Sequence, residues 1–366
     1  MFGPGHCNDD HDWKENMLKR TKLFAALLGL SLMTMPTLAD DHANLPDPDG
    51  KPADMSKPVK VFLIMGQSNT LEMGKVKGGE GSLEHAVKEE GLYPFMVDEA
   101  GNWTTRQDVR NVSVMSGRKG VYRNEWLTVE GKGKIGIEQG IGHQLGHALD
   151  EPVMVLKSSI GNRSLGWDLL PPGSERFEHT EKGKTYVYPG YKDEVRHSRW
   201  EKGNVPDPPN HGWYAGKQYD DDVANAKKIL DDLKKYYPEA TKFEVAGFLW
   251  WQGDKDRYNQ GHAARYGKNL ETLFNALKKE FNAPDAKMVV ATLGQTDKDT
   301  AKGNEKLILE GMMDFAKGKD DVKTVYTHPL SMGSSSNAHY GGNAKTYMNV
   351  GLGMGEAMAE LIKADK

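Results

Sequence analysis

Val59-Lys60-Val61-Phe62-Leu63-Ile64-Met65 runs directly into Gly66-Gln67-Ser68-Asn69. A short, almost unbroken apolar run that stops at glycine reads as a strand buried on both faces, the kind a parallel sheet requires. The pattern recurs at Pro152–Ser159, Phe243–Trp251, Lys287–Leu293 and Lys323–Tyr326. Helical periodicity separates these runs, over Ile137–Leu149, Asp220–Tyr237, Ala263–Phe281 and Ala344–Ile362. Strand alternating with helix predicts an α/β fold, a three-layer α/β/α sandwich around a central, mainly parallel sheet, in one domain over 59–366. The stretch 173–216 breaks the rhythm with Gly, Pro, charge and aromatics. It reads as a long irregular insertion, either a functional loop whose aromatics face sugar rings or a lid packed on those aromatics.

The composition narrows the class. The chain has 366 residues, 48 Lys and Arg against 52 Asp and Glu, 27% charged and 37% hydrophobic residues. Near-neutral charge argues against a nucleic-acid partner, which would need a basic stripe. The single cysteine, Cys7, excludes a disulfide scaffold and any multi-cysteine metal site, and no cofactor is expected. His143 and His147 are spaced like zinc ligands, but Gln144 stands where a zincin needs Glu, so no metal is expected either.

The front of the chain reads as an address. Lys19, Arg20 and Lys22 precede the apolar Leu23–Met33, and Thr37-Leu38-Ala39 offers small residues for cleavage. Residues 1–39 are therefore expected to be upstream residues and a secretory signal peptide over Met17–Ala39. A secreted or periplasmic location follows as the expectation, with no membrane insertion of the mature chain. Residues 40–58, with Pro46, Pro48, Pro52 and Pro58 among acids, read as a linker.

Four segments carry chemistry. Gly66-Gln67-Ser68-Asn69 puts a hydroxyl at the carboxyl end of the first strand, where open α/β sheets hold their ligands. Ser159-Ile160-Gly161-Asn162-Arg163-Ser164 follows the second strand, with a glycine whose N–H is unobstructed. Trp250-Trp251-Gln252-Gly253-Asp254-Lys255-Asp256 follows the third strand and ends in an amide and two carboxylates. Ser336-Asn337-Ala338-His339-Tyr340 precedes the last helix. Hydroxyl, imidazole, carboxylate and amide donors at one end of a sheet are the parts of an acyl-transfer site.

Taken in order, these blocks resemble the SGNH-type (GDSL-like) hydrolases, specifically the sialate O-acetylesterase and acetyl xylan esterase-like carbohydrate esterases. The resemblance implies an SGNH, flavodoxin-like fold and a serine esterase removing acetyl groups from carbohydrate hydroxyls. It implies Ser68 as nucleophile and His339 as general base. It also implies an oxyanion hole of the Ser68 and Gly161 N–H groups and the Gln252 side chain. Relatives often carry Asp three residues before the histidine, where this chain has Ser336. The acid is then Asp254, or Asp256 as the alternative, or a Ser–His dyad stands without one. Gln67, Asn69, Arg163 and Trp167 are substrate-contact candidates, Arg163 toward a carboxylate or uronic acid. Acetylated poly- or oligosaccharide is the expected partner. Esters other than carbohydrate, or glycan binding without catalysis, remain the alternatives.

Overall fold

The computed structural model describes residues 45–115, 120–209 and 212–364. The expected leader lies outside the described residues. From the described part of the linker onward, the chain belongs to one unit.

A seven-stranded sheet forms the middle layer. Its strands are β1 (Val59–Gly66), β2 (Thr105–Met115), β3 (Gly120–Thr128), β4 (Val153–Ser158), β5 (Phe243–Trp251), β6 (Lys287–Ala291) and β7 (Val322–Val325). They lie in the order β7-β6-β5-β1-β4-β2-β3. All neighbours pair in parallel except β2 and β3, which form an antiparallel pair at one edge. The five strands expected from the sequence are therefore the parallel core, with the β2–β3 pair added beyond β4. In this winding the chain crosses from one side of β1 to the other, so the crevice between β1 and β5 is the switch point where such sheets bind ligands.

Helices cover both faces: α1 (Glu138–Ala148) and α5 (Ala344–Lys363) on one, α2 (Lys217–Asp231), α3 (Gln260–Glu280) and α4 (Gly303–Ala316) on the other. Because strand side chains alternate, Val61, Leu63 and Met65 pack toward Val223, Leu270 and Met312, while Phe62 and Ile64 pack toward Ile141, Val350 and Met354. Both faces being covered explains why β1 reads as one continuous apolar run.

Two features were not visible in the sequence pattern. β2 and β3 did not stand out, because charged and polar residues interrupt them and part of β3 is exposed. The insertion over 173–216 is irregular over most of its described length but holds a small sheet. Phe177–Glu181, Lys184–Tyr188 and Trp200–Glu201 form an antiparallel meander. Its aromatics serve its own packing more than a cleft. Phe177 stacks on Tyr188 at 4.7 Å, and Tyr191 and Tyr214 both donate to the Asp220 carboxylate. The Tyr188 hydroxyl donates to Asn259 Oδ1, the same oxygen that caps α3.

Candidate active site

The nucleophile turn follows from β1. Gly66 pairs with Trp251 and takes φ +150°, and a Cβ there would sit 2.6 Å from the Trp251 carbonyl oxygen. Only glycine lets the chain turn so close to β5. A short 3-10 turn, Ser68–Thr70, follows. Thr70 Oγ1 donates to the Gln67 carbonyl at 2.7 Å and shares a 2.7 Å hydrogen bond with Ser159 Oγ, which ties the turn to the block after β4.

Ser68 is partly exposed, and its hydroxyl has no hydrogen-bond partner among the described residues. Gly161 faces it: a Cβ on Gly161 would lie 3.5 Å from Ser68 Cβ. The Ser68 N–H opens the 3-10 turn and so has no acceptor within it. The Gly161 N–H likewise donates to no described residue. Two unsatisfied amides beside a free hydroxyl are what an oxyanion requires.

His339 arrives from the far end of the sequence. The turn Ser336–Gly342 packs against Ser68–Thr70. His339, Tyr340, Gly341 and Gly342 all have positive φ, at 52°, 53°, 65° and 76°. A left-handed histidine and tyrosine in succession are costly and persist only where packing holds them. Tyr340 supplies that hold. It is wholly buried, stacks on Trp251 at 5.5 Å and 14°, and its hydroxyl accepts from the Gly294 N–H. Tyr347 donates from its hydroxyl to the His339 carbonyl at 3.2 Å. The β5 tryptophan thus fixes both turns, Gly66 through its carbonyl and the histidine turn through its ring.

The polar residues after β5 hold roles the sequence did not reveal. Gln252 is wholly buried, and its Nε2 faces Asp256 Oδ2 at 2.6 Å, the Arg163 carbonyl at 2.9 Å and Gln67 Oε1 at 3.3 Å. Its two amide hydrogens are thereby engaged inside the protein, which corrects its assignment as an oxyanion donor. Asp256 also accepts from the Leu165 and Gly166 N–H groups at 2.9 and 2.8 Å. It anchors that peptide and is not the triad acid. Burial pushes its carboxyl up to about 6 against the pull of these donors. Asp254 is different: its Oδ1 accepts from Ser336 Oγ at 2.7 Å and from Arg257 Nε at 2.8 Å. It reaches the histidine turn.

Two substrate-contact candidates are likewise corrected. Gln67 is 2% exposed, and its Oε1 accepts from Gln252 and the Lys255 N–H. Asn69 is wholly buried, its amide without a hydrogen-bond partner among the described residues. Both lie beneath the turn and cannot touch substrate. Arg163 and Trp167 keep their candidacy. With Asn162, Ser164, Lys255 and Tyr258 they line a cavity of about 400 Å³ that begins one residue beyond Gly161. The Arg163 guanidinium rests over the Trp213 ring at 5.2 Å and, among the described residues, donates only to Gln218 and the Asn162 carbonyl. Neither Arg163 nor Lys255 has an ion-pair partner among the described residues, a feature of this wall that single residue types did not signal.

Residues 196–360 match the family described as carbohydrate esterase, sialic acid-specific acetylesterase. The match takes in the Gln252 block, both candidate acids and His339. Over those residues the chain is similar to the sialate O-acetylesterase-like carbohydrate esterases. No curated protein matches this chain in sequence. Solved structures similar to it include a protein from Arabidopsis thaliana, at 14% identity and TM-score 0.47, covering 83% of this chain and 99% of that one. A carbohydrate acetylesterase from Xanthomonas citri matches at 12% identity and TM-score 0.48, over 84% of this chain and 57% of its own. The structure named NanS matches at 12% identity and TM-score 0.42, over 75% of this chain and 78% of its own.

Proposed function

We propose that this protein is a carbohydrate esterase that removes acetyl groups from sugar hydroxyls through an acyl-enzyme on Ser68, with His339 as general base. The observation that carries the reading is the trio at the head of β1: an unbonded Ser68 hydroxyl, the unpartnered N–H groups of Ser68 and Gly161, and the histidine turn packed against them. In the first half-reaction His339 takes the Ser68 proton as Oγ bonds to the ester carbonyl carbon. The carbonyl oxygen gains the negative charge and accepts from the two amides, each worth about 3 kcal/mol of transition-state stabilisation. The intermediate collapses, the sugar oxygen leaves, and the proton on His339 goes to it. In the second half, His339 takes a proton from water, hydroxide oxygen attacks the acyl carbon, and acetate leaves as Ser68 regains its proton.

The cavity beside Gly161 suits the sugar, with Trp167 for an apolar ring face and the cations Arg163 and Lys255 for polar or acidic substituents. Export rests on the reading of Met17–Ala39 as a signal peptide. The test is Ser68→Ala assayed on an aryl acetate and on acetylated xylan, pectin and sialic acids. Hydrolysis should fall by at least about 10³-fold, with the melting temperature unchanged. Undiminished turnover would refute the nucleophile.

A further inference from the structure

The position where relatives often carry aspartate holds Ser336, yet a carboxylate stands directly behind it. Ser336 is wholly buried, lies three residues before His339 on the same turn, and donates from Oγ to Asp254 Oδ1 at 2.7 Å. Asp254 comes from the loop after β5, so the contact joins the third block of the sequence to the fourth. Asp256, the other acid of that loop, is occupied by peptide N–H groups elsewhere.

We propose that Asp254 acts on His339 through the Ser336 hydroxyl, so that the catalytic pair is completed by a carboxylate one hydroxyl removed. The inference rests on Ser68 and His339 being nucleophile and base. With its only hydrogen committed to Asp254, the Ser336 oxygen offers lone pairs alone. A protonated imidazole has a hydrogen at each ring nitrogen. One is the proton taken from Ser68; the relay requires the other to reach Ser336 Oγ, three residues back on the same turn. No proton leaves Ser336, and Asp254 stays ionised throughout. Such a chain is polarised end to end, so the carboxylate stabilises the imidazolium and fixes the ring without touching it. Asp254 and Ser336 are therefore positioning residues.

Other charged and titratable groups set the size of the effect. Arg257 shares Asp254 Oδ1 at 2.8 Å and also donates to Glu305 at 2.8 Å, partly neutralising the carboxylate. Lys255 is the next residue in the chain, and the Tyr340 hydroxyl lies within the field of Asp254. On the histidine turn, Tyr347 bonds the His339 carbonyl and the Lys75 side chain lies beside Gly342.

The experiment measures two pH profiles, kcat/KM on an aryl acetate and the rate of Ser68 labelling by a serine-reactive phosphonate. It compares the wild type with Asp254→Asn, Ser336→Ala, the double variant, and Glu305→Gln as a control on the far side of Arg257. Each single substitution should slow both reactions by about tenfold or more and move the acid limb down by roughly half a unit to one unit. The double variant should be no worse than either single, because both cut one chain. Glu305→Gln should leave the limb in place. Ser336→Thr, which keeps the hydroxyl, should keep the wild-type limb even if it melts earlier. An unmoved limb in Asp254→Asn, losses that multiply in the double variant, or a limb in Ser336→Thr that matches Ser336→Ala would each overturn the relay. Absence of label on Ser68 in the wild type would instead overturn the assignment of the nucleophile.

Discussion

The two turns that meet at the site are built in opposite ways. Ser68–Thr70 grows out of the sheet: its entry is set by the Gly66–Trp251 pairing, and hydrogen bonds to Ser159 and the buried amides beneath lock it from below. The turn Ser336–Gly342 is attached from outside by an aromatic stack, by hydrogen bonds from the Gly294 N–H and the Tyr347 hydroxyl, and by Ser336 on Asp254, while its backbone is held left-handed. One turn inherits the rigidity of the fold; the other depends on its few contacts. The Ser68 hydroxyl and the amides beside it should therefore tolerate little change in the buried network, whereas the imidazole should respond in graded fashion to losses around it.

The largest effect should come from breaking the network under the first turn. Gln252→Ala removes a donor to Asp256 and one of two acceptors of the Tyr266 hydroxyl, both buried, leaving the Gln252 carbonyl as the other. The expected loss is about 3 kcal/mol in denaturant unfolding, with kcat falling alongside. If kcat collapsed while stability held, Gln252 would be an oxyanion donor after all.

A smaller effect, read against pH, tests the same network from its other side. His262 is buried 3.7 Å from Asp256, and burial, with Arg199 adding, drives its pKa from 6.5 to about 3. The unfolded chain takes up this proton first, so the stability contributed by the neutral ring is whole above 6.5 and is lost as pH falls toward 3. Asp256, raised to about 6, acts in the opposite sense as pH falls through that value. Comparing His262→Asn with the wild type isolates the histidine. The variant should gain on the wild type by about 1.3 kcal/mol between roughly pH 7 and pH 5.5. Parallel stability curves would contradict a neutral buried ring.

The smallest effect belongs to the second turn. Tyr340→Phe keeps the stack on Trp251 and loses only the hydroxyl that accepts from Gly294. It should cost about 1 kcal/mol, with kcat reduced only severalfold. A loss as large as that of Gln252→Ala would mean that both turns are equally rigid.

Much of this was open to a reader of the sequence. Strands buried on both faces leave an uninterrupted apolar run, so the parallel core and the blocks at its carboxyl ends were legible. The sequence also pointed to Ser68 and Gly161, which the fold sets side by side, and to the turn that carries His339. The β2–β3 pair was not, because its polar positions broke the pattern. Nor was α4, whose exposed Leu307 and Met313 blur its apolar stripe. The tasks of Gln252, Asp254 and Asp256 were hidden for another reason. Their types and spacing announce polar chemistry, but their partners Gln67, Ser336 and the Leu165 peptide lie between 80 and 190 residues away in sequence, and only the fold pairs them. The left-handed His339 and Tyr340 carry no compositional mark at all, since neither is a glycine.

The single oxygen of Asn259 that caps α3 while receiving the Tyr188 hydroxyl has a practical corollary. A meander grafted from a relative to alter glycan preference would sever that shared acceptor unless the recipient asparagine and the donor tyrosine travelled together. The seam for such chimeras therefore lies past Asn259, inside the first turn of the helix, and not at the visible edges of the inserted strands.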